Sequence, residues 1–454
     1  MDELIAELQE ETGNFLADDE SAEVRGLCPE VKLPLPESVL QFQIHRSTKQ
    51  RSFRRTAKVC LDYIRDALLQ HQWQRAADLM VNLFEILEDY GGNAQKTTAI
   101  EIIWRLGSEI LHNHPRSTVE DVISFSSKMK LTGVKNYLQK CLEHVIYLLY
   151  NGMLNEAYLE LSNAETWRYG NISSSQSELI PFIQGYKALL DYCTWSKKYE
   201  ECKKREEGEM DMGTEQEMHN YFRQASIGLN QTLQHPGVWD PFVLSYVNLL
   251  EFYDGFDEAL KVLDNYAYDS KFPANPNAHV YLYELLKKNQ SSPKKMIRVL
   301  KILSQMVPSH ELMLDLNSLL VESSKMKNRK EGLVVLFNLL DFPSWKENYT
   351  VWKRLIKQMK YAVTERHASW MGEQWQLRQN WWPAFHFSER QARRNFEANA
   401  SFAYRKATVA GLLMGKGCKY FITVYRLGRK VEKPKMKKMK QYIKEHSLRT
   451  PSGS

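Results

Sequence analysis

Nine cationic side chains fall in one short window near the C-terminus: Arg426, Arg429, Lys430, Lys433, Lys435, Lys437, Lys438, Lys440 and Lys444. Charge of one sign at that density suits contact with nucleic-acid phosphates, or an import signal. A solvated tail is the plain alternative. Met436, Met439 and Ile443 recur in the window at helical spacing, which allows a short helix with one apolar seam and lysines elsewhere. If about five lysines reached phosphates, binding would weaken with salt at a log–log slope of roughly −4 to −5. A smaller basic group, Arg46, Lys49, Arg51, Arg54, Arg55 and Lys58, precedes the first clear helix and runs into it.

Aromatic residues form the second concentration. Six of the eleven tryptophans lie between Trp345 and Trp382, and the stretch ends in Asn380-Trp-Trp-Pro-Ala-Phe-His-Phe387. Trp381, Trp382, Phe385 and Phe387 suit a partner interface, where such anchors concentrate binding energy, and aromatic faces also stack on bases. Core packing where a helical stack is capped accounts for them equally well.

Catalytic sets are missing. Gly411-Leu-Leu-Met-Gly415-Lys416-Gly417 resembles a phosphate loop, but only three residues separate its first two glycines and no Ser or Thr follows the lysine. A helix C-terminus with a glycine-rich exit explains it better. His112 and His114 beside Pro115 have no Cys or carboxylate cluster near them in sequence, so a metal site is not expected. No Gly-x-Ser-x-Gly, His-Glu-x-x-His or kinase set is present. The expectation is a non-enzyme with no catalytic, cofactor-binding or metal-binding residues, and no small-molecule substrate.

The elements that carry these residues belong to a chain of 454 residues, 43% hydrophobic and 26% charged, which is ordinary globular composition. The net charge of +6 hides an asymmetry. Residues 1–23 hold nine acids and no base, whereas 419–454 hold eleven Lys/Arg against Glu432 and Glu445. Charge separated in this way suggests interaction tails around a near-neutral body. Leu4, Ile5 and Leu8 could form a short amphipathic helix in the acidic segment, with plain disorder the default. Apolar runs such as Val409–Met414 are too short to span a bilayer, and Met1-Asp2-Glu3-Leu4 lacks the start of a secretory signal. Six scattered cysteines without a Cys-x-x-Cys pair suit a reducing, intracellular compartment.

Periodicity predicts an all-α fold of divergent tetratricopeptide-like helical hairpins forming a solenoid. Asp240-Pro241 offers an N-cap and a first-turn proline, followed by Phe242, Tyr246, Leu249, Leu250 and Tyr253 at helical spacing. Similar first helices are expected from about 278, 310 and 350, giving spacings of 37, 32 and 40 residues. Triplets of a large residue, Ala at +3 and Leu or Met at +7 mark close helix crossings: Trp73-Ala76-Met80, Leu154-Ala157-Leu161 and Phe256-Ala259-Leu263. The expected organisation is an acidic, largely disordered segment over 1–43, N-terminal helical repeats over 44–202 and a polar linker over 203–217. Central repeats over 218–370, a Trp-rich helical cap over 371–427 and an unstructured basic tail over 428–454 follow.

Several longer segments carry a family likeness: Glu101-Ile-Ile-Trp-Arg-Leu-Gly-Ser-Glu-Ile-Leu111, Ala164-Glu-Thr-Trp-Arg-Tyr-Gly170, Gly237-Val-Trp-Asp-Pro-Phe-Val243 and Asn265-Tyr-Ala-Tyr-Asp269. Phe272-Pro-Ala-Asn-Pro-Asn-Ala-His279, Val307-Pro-Ser-His310, Asn380-Trp-Trp-Pro-Ala-Phe-His-Phe-Ser388 and Gly411-Leu-Leu-Met-Gly-Lys-Gly-Cys418 extend it. From about 53 to 445 the chain resembles the A-subunit family of the TATA-box-binding-protein-associated factors of RNA polymerase I. The resemblance implies a scaffold component of the polymerase I promoter selectivity factor, acting in the nucleus and nucleolus. Its implied partners are TATA-binding protein, other associated factors and, within the complex, ribosomal DNA promoters. No membrane partner is expected. A helical-repeat RNA-binding protein in ribosome assembly is the alternative. A co-chaperone gripping acidic tails is disfavoured by the apolar inner positions of 241–340.

Overall fold

A computed structural model describes residues 48–88, 93–131, 136–167, 174–204, 212–323 and 325–448. Every element among them is helical. The chain divides into two compact units, one of residues 1–235 with 241–249 and one of 236–240 with 250–454. The acidic 1–43 segment lies outside the described residues. None of the described helices is long and apolar enough to cross a membrane.

The first unit is built from helical hairpins. Helices α1 (Thr48–Leu69), α2 (Trp73–Glu88), α3 (Asn93–Asn113), α4 (Val119–Leu131), α5 (Tyr137–Tyr150) and α6 (Leu154–Thr166) each pack on the next. A single turn, α7 (Ser174–Ser177), leads into α8 (Ile180–Lys204) and α9 (Met212–Thr232). Apolar side chains three and four apart on α1, among them Cys60, Ile64, Ala67 and Leu68, meet Ala76, Met80 and Leu83 of α2 and Ile102, Leu106 and Ile110 of α3. Leu138, Cys141, Val145 and Leu148 of α5 likewise meet Ala157, Leu161 and Ala164 of α6 and Ile183 of α8. First helices begin at residues 48, 93, 137 and 180, steps of 45, 44 and 43. Helices α8 and α9, which flank residues 205–211 of the polar stretch 203–217, pack along each other as one hairpin; 205–211 lie outside the described residues. The boundary between units falls at 236–249.

Helix α10 (Asp240–Phe252) contributes to both units. In the second unit, α11 (Phe256–Tyr268), α12 (Pro276–Lys288), α13 (Pro293–Met306), α14 (Met313–Glu322), α15 (Met326–Leu340) and α16 (Tyr349–Thr364) each pack on the next. First helices here start at 240, 276, 313 and 349, steps of 36, 37 and 36. That is more regular than the hydrophobic pattern implies. Val307–Leu312 turns rather than opening a helix, because the His310 backbone carbonyl receives Met313 N at 3.0 Å and the His310 Nδ1 receives Leu312 N at 3.1 Å. Asp240 does not cap its own helix. Its carboxylate accepts from Tyr266 Oη at 2.7 Å, Asn275 Nδ2 at 2.6 Å and Asn277 Nδ2 at 2.7 Å, tying the 272–277 loop to the start of α10.

One turn recurs in both units. His71, Gly152, Asp254, Gln290 and Arg366 all have positive φ, between 48° and 75°. At each, the following N–H closes on a carbonyl five residues back, as in Gln72 N to Ala67 O at 2.8 Å and His367 N to Ala362 O at 2.7 Å. This closure ends one helix and aims the chain into its hairpin partner. Only one of the five is a glycine, so four residues adopt a conformation that side chains disfavour.

The chain then leaves the simple stack. Helices α17 (Ala368–Gln376), α18 (Trp382–His386), α19 (Glu389–Ala398), α20 (Ala400–Met414), α21 (Lys419–Val431) and α22 (Lys433–His446) form a globular cap, in which α20 lies on α16 and receives both α21 and α22. The stretch 433–446 is therefore a packed helix and not an unstructured tail.

Ala76, Ala157 and Ala259 are all fully buried, as helix crossings require. Replacing Ala259 with Leu is expected to overpack its crossing and cost about 1–3 kcal/mol, read as a lowered denaturation midpoint. An unshifted midpoint would show that the crossing has room.

Candidate functional site

The basic window rests on a series of packed layers. The deepest is an ion pair between hairpins: Arg378, after α17, holds Asp341, at the end of α15, with Nε to Oδ1 at 2.8 Å and Nη2 to Oδ2 at 2.7 Å. Its other donors reach Asn338 Oδ1 at 2.7 Å and Gln374 Oε1 at 3.0 Å, so the whole guanidinium fork is used. Trp382 Nε1 donates to the same Asp341 carboxylate at 2.8 Å. The Trp382 ring stacks on Phe337 at 5.2 Å and meets Trp352 and Phe387 edgewise or tilted.

This geometry separates the four aromatic candidates. Trp382 and Phe387 are core residues, fully or almost fully buried, and are not available to a partner. Trp382 is held by the Asp341 bond, and Phe387 lies against Trp352 of α16 and Tyr420 of α21. Trp381 is 39% exposed and lies 5.5 Å from the half-buried Phe385, whose face carries Lys346 Nζ at 4.3 Å. Only these two remain for surface recognition.

His386 and Lys406 are both buried inside the cap. His386 Nε2 donates to Leu340 O at 2.9 Å, which fixes the tautomer because a carbonyl only accepts. Burial, followed by nearby Lys406, pushes its pKa down to about 3. The Lys406 side chain is fully buried, its Nζ 5.1 Å from the Trp352 ring centre and 5.7 Å from those of Phe402 and Tyr420. Nζ has no hydrogen-bond partner among the described residues. Burial pushes the pKa of this ammonium down to about 7, partly offset by Glu347.

Helix α20 continues through Gly411, so the glycine-rich exit begins only at Gly415, which caps the helix with φ of 80°. A Cβ on Gly411 would stand 2.4 Å from Ile443 Cδ1, and one on Gly428 of α21 would stand 2.7 Å from Met436 Sδ. Met436 and Ile443, two turns apart on α22, are both fully buried against these two notches. Beyond α22, Leu448 N donates to Leu412 O at 2.9 Å, satisfying one of the carbonyls that the end of α20 leaves open. The predicted apolar seam thus exists, with Met439 only partly buried beside it. The two glycines were the readable signal, since glycine inside a helical pattern usually marks a close approach.

All nine basic candidates, Arg426, Arg429, Lys430, Lys433, Lys435, Lys437, Lys438, Lys440 and Lys444, are exposed. Lys435 pairs with Glu432 at 2.7 Å; none of the others has a carboxylate within ion-pair distance among the described residues. At 100° per residue the buried seam divides the lysines of α22 into two flanks. Lys433, Lys437, Lys440 and Lys444 share the flank toward α21, where Lys440 Nζ lies 5.3 Å from the Tyr425 ring centre. Lys435 and Lys438 occupy the opposite flank with Met439. Of the smaller basic group, Arg46 lies outside the described residues, as do the side chains of 49–55; Lys58 is exposed on α1.

Comparison with known proteins places a family model, that of the TAF RNA polymerase I A subunit, over residues 66–426. The Homo sapiens TATA box-binding protein-associated factor of RNA polymerase I, A subunit, is 43% identical over 449 residues, 98% of this chain and 100% of the relative. The Mus musculus protein of the same name is 47% identical over 404 residues, 89% of each chain.

Two outcomes are expected from the cap. Gly411→Val removes the notch for Ile443 and is expected to weaken docking of α22 by about 1–3 kcal/mol. Faster amide exchange confined to 433–446 would register it, and unchanged protection would show that the helix is held otherwise. Lys406 titrates at about 7 when folded and at its ordinary 10.5 when unfolded. The unfolded chain therefore binds more protons between those values, and this group makes stability rise with pH across that window. Lys406→Met is expected to raise the denaturation midpoint at pH 7 and to abolish this component of the rise toward pH 9. A variant with the same pH dependence as the parent would contradict the assignment.

Proposed function

Because the chain belongs to the A-subunit family of RNA polymerase I TAFs, we propose that it serves RNA polymerase I transcription as a non-enzymatic scaffold of the promoter selectivity factor. In this role it binds TATA-binding protein and sister associated factors and helps assemble the pre-initiation complex on ribosomal RNA gene promoters, in the nucleus and nucleolus. The observation that carries the reading is the family match across 66–426, which takes in nearly all of the stacked hairpins. Stacked hairpins expose long surfaces to partners, and scaffolding needs nothing more.

DNA contact is assigned to the α21-facing flank of α22. Met436 and Ile443 anchor that helix, so Lys433, Lys437, Lys440 and Lys444 are presented from a fixed support, with little ordering left for binding to impose. Contact of this kind is sequence-independent and strongly salt-dependent.

The test is recovery of the tagged chain from nuclear extract. TATA-binding protein and other associated factors should co-purify, and their absence would remove the scaffold reading. With the purified assembly, converting Lys433, Lys437, Lys440 and Lys444 to Ala is expected to flatten the log–log salt slope of promoter-DNA binding by roughly 3–4. An unchanged slope would return these lysines to a solvated surface. Tight single-stranded RNA binding by the isolated chain, undiminished in that variant, would instead support an RNA-binding protein.

A further inference from the structure

The opposite flank of α22 faces a groove of about 440 Å³ between α16, α20 and α22, and we propose that this groove docks an acidic peptide segment of a partner protein through carboxylates flanking a large apolar side chain. The inference goes beyond DNA contact, uses different residues, and does not depend on it. Four cations line the groove: Lys360 from α16, Arg405 from α20, and Lys435 and Lys438 from α22. No Asp or Glu lines it. Charge alone would suit any anion, so the rest of the lining decides.

Between the cations the accessible apolar surface is that of the half-buried Met439, over Ile356 and Met436, which are buried. A methionine adapts to partner side chains of varied shape. A phosphate backbone would leave that surface unused. The tyrosines are also poorly placed for stacking bases. Lys435 Nζ covers the Tyr404 ring at 4.7 Å, and Lys360 Nζ covers Tyr442 at 5.4 Å. Base stacking needs those faces open.

Charge complementarity carries the choice of occupant. Lys360 and Lys438 are exposed at the groove from two different helices, and carboxylates on either side of an apolar side chain can accept charge-assisted bonds from both. A groove of this size holds a few side chains, which matches a short linear segment.

The experiment uses the full chain and a fluorescent synthetic peptide of alternating acidic residues with leucine and phenylalanine, followed by anisotropy. Lys360→Glu and Lys438→Glu alter exposed side chains on two different helices and are expected to leave the fold intact, with an unchanged denaturation midpoint as the control. Each is expected to weaken the peptide by about tenfold, whereas Lys437→Glu and Lys444→Glu on the other flank should change it less than about twofold. Lys360 lies outside the basic window, so its effect separates a groove from general attraction to that window. Unaltered affinity in Lys360→Glu and Lys438→Glu overturns the proposal. Equal loss from the other-flank variants also overturns it, as does equally tight binding of a poly-glutamate peptide. Duplex DNA that displaces the peptide and itself loses affinity in Lys360→Glu would overturn it too, by assigning the groove to nucleic acid.

Discussion

The bond on which the cap depends is the bidentate pairing of Arg378 with Asp341. A helical stack that grows by nearest-neighbour contact has no natural end, because each new hairpin leaves one apolar face uncovered. Here the end of α15 presents a carboxylate, and a guanidinium from the turn after α17 takes both its oxygens. The Arg378 side chain is 6% exposed, so the pair is far better shielded from water and salt than a surface bridge. Losing either partner would strand the other in a dry setting. The pair also fixes the indole of Trp382 through Asp341, and Trp382 packs in turn against Trp352 of α16, the helix that serves as the platform on which α20 lies.

The basic helix is a consequence of that platform. Held by two side chains in two glycine notches, α22 is neither a free tail nor an integral layer of the core. Such an arrangement gives a polycation direction. Mutual repulsion among lysines favours an extended, solvated chain, and Met436 with Ile443 counteracts it by burying apolar surface at two points one heptad apart. Docking also sorts the lysines, sending Lys437 and Lys444 to one flank and Lys438 to the other. An undocked helix could not discriminate between ligands in this way, since every lysine would be available to any anion.

Much of this was legible in the residues, and the failures have physical causes. Hairpin repeats show in sequence because small alanines at crossings and 3.6-residue periodicity are local properties. The seam of α22 shows for the same reason. The turn that actually sets the period does not, because four of its five αL positions hold His71, Asp254, Gln290 and Arg366, for which side-chain type offers no warning. Among the site residues, the inward fate of Trp382 depends on Asp341, 41 residues earlier, and that of Phe387 on Trp352 and Tyr420. No local pattern separates them from Trp381 and Phe385, which stay near the surface.

Lys406 shows what such long-range context can override. A lysine in a helix normally lets its ammonium reach water. This one is enclosed by Trp352, Phe402 and Tyr420, at distances where the negative faces of the rings attract a cation. Those rings lessen the desolvation penalty without removing it, which is why the charge is held so weakly. An apolar residue of similar volume would pack there more comfortably. The cap therefore keeps a destabilising group at the meeting point of α16, α20 and α21, where it disfavours packings of those helices that lack the aromatic cage. On this argument Lys406 selects one arrangement of the platform rather than strengthening it, and the placement of α22 inherits that selection.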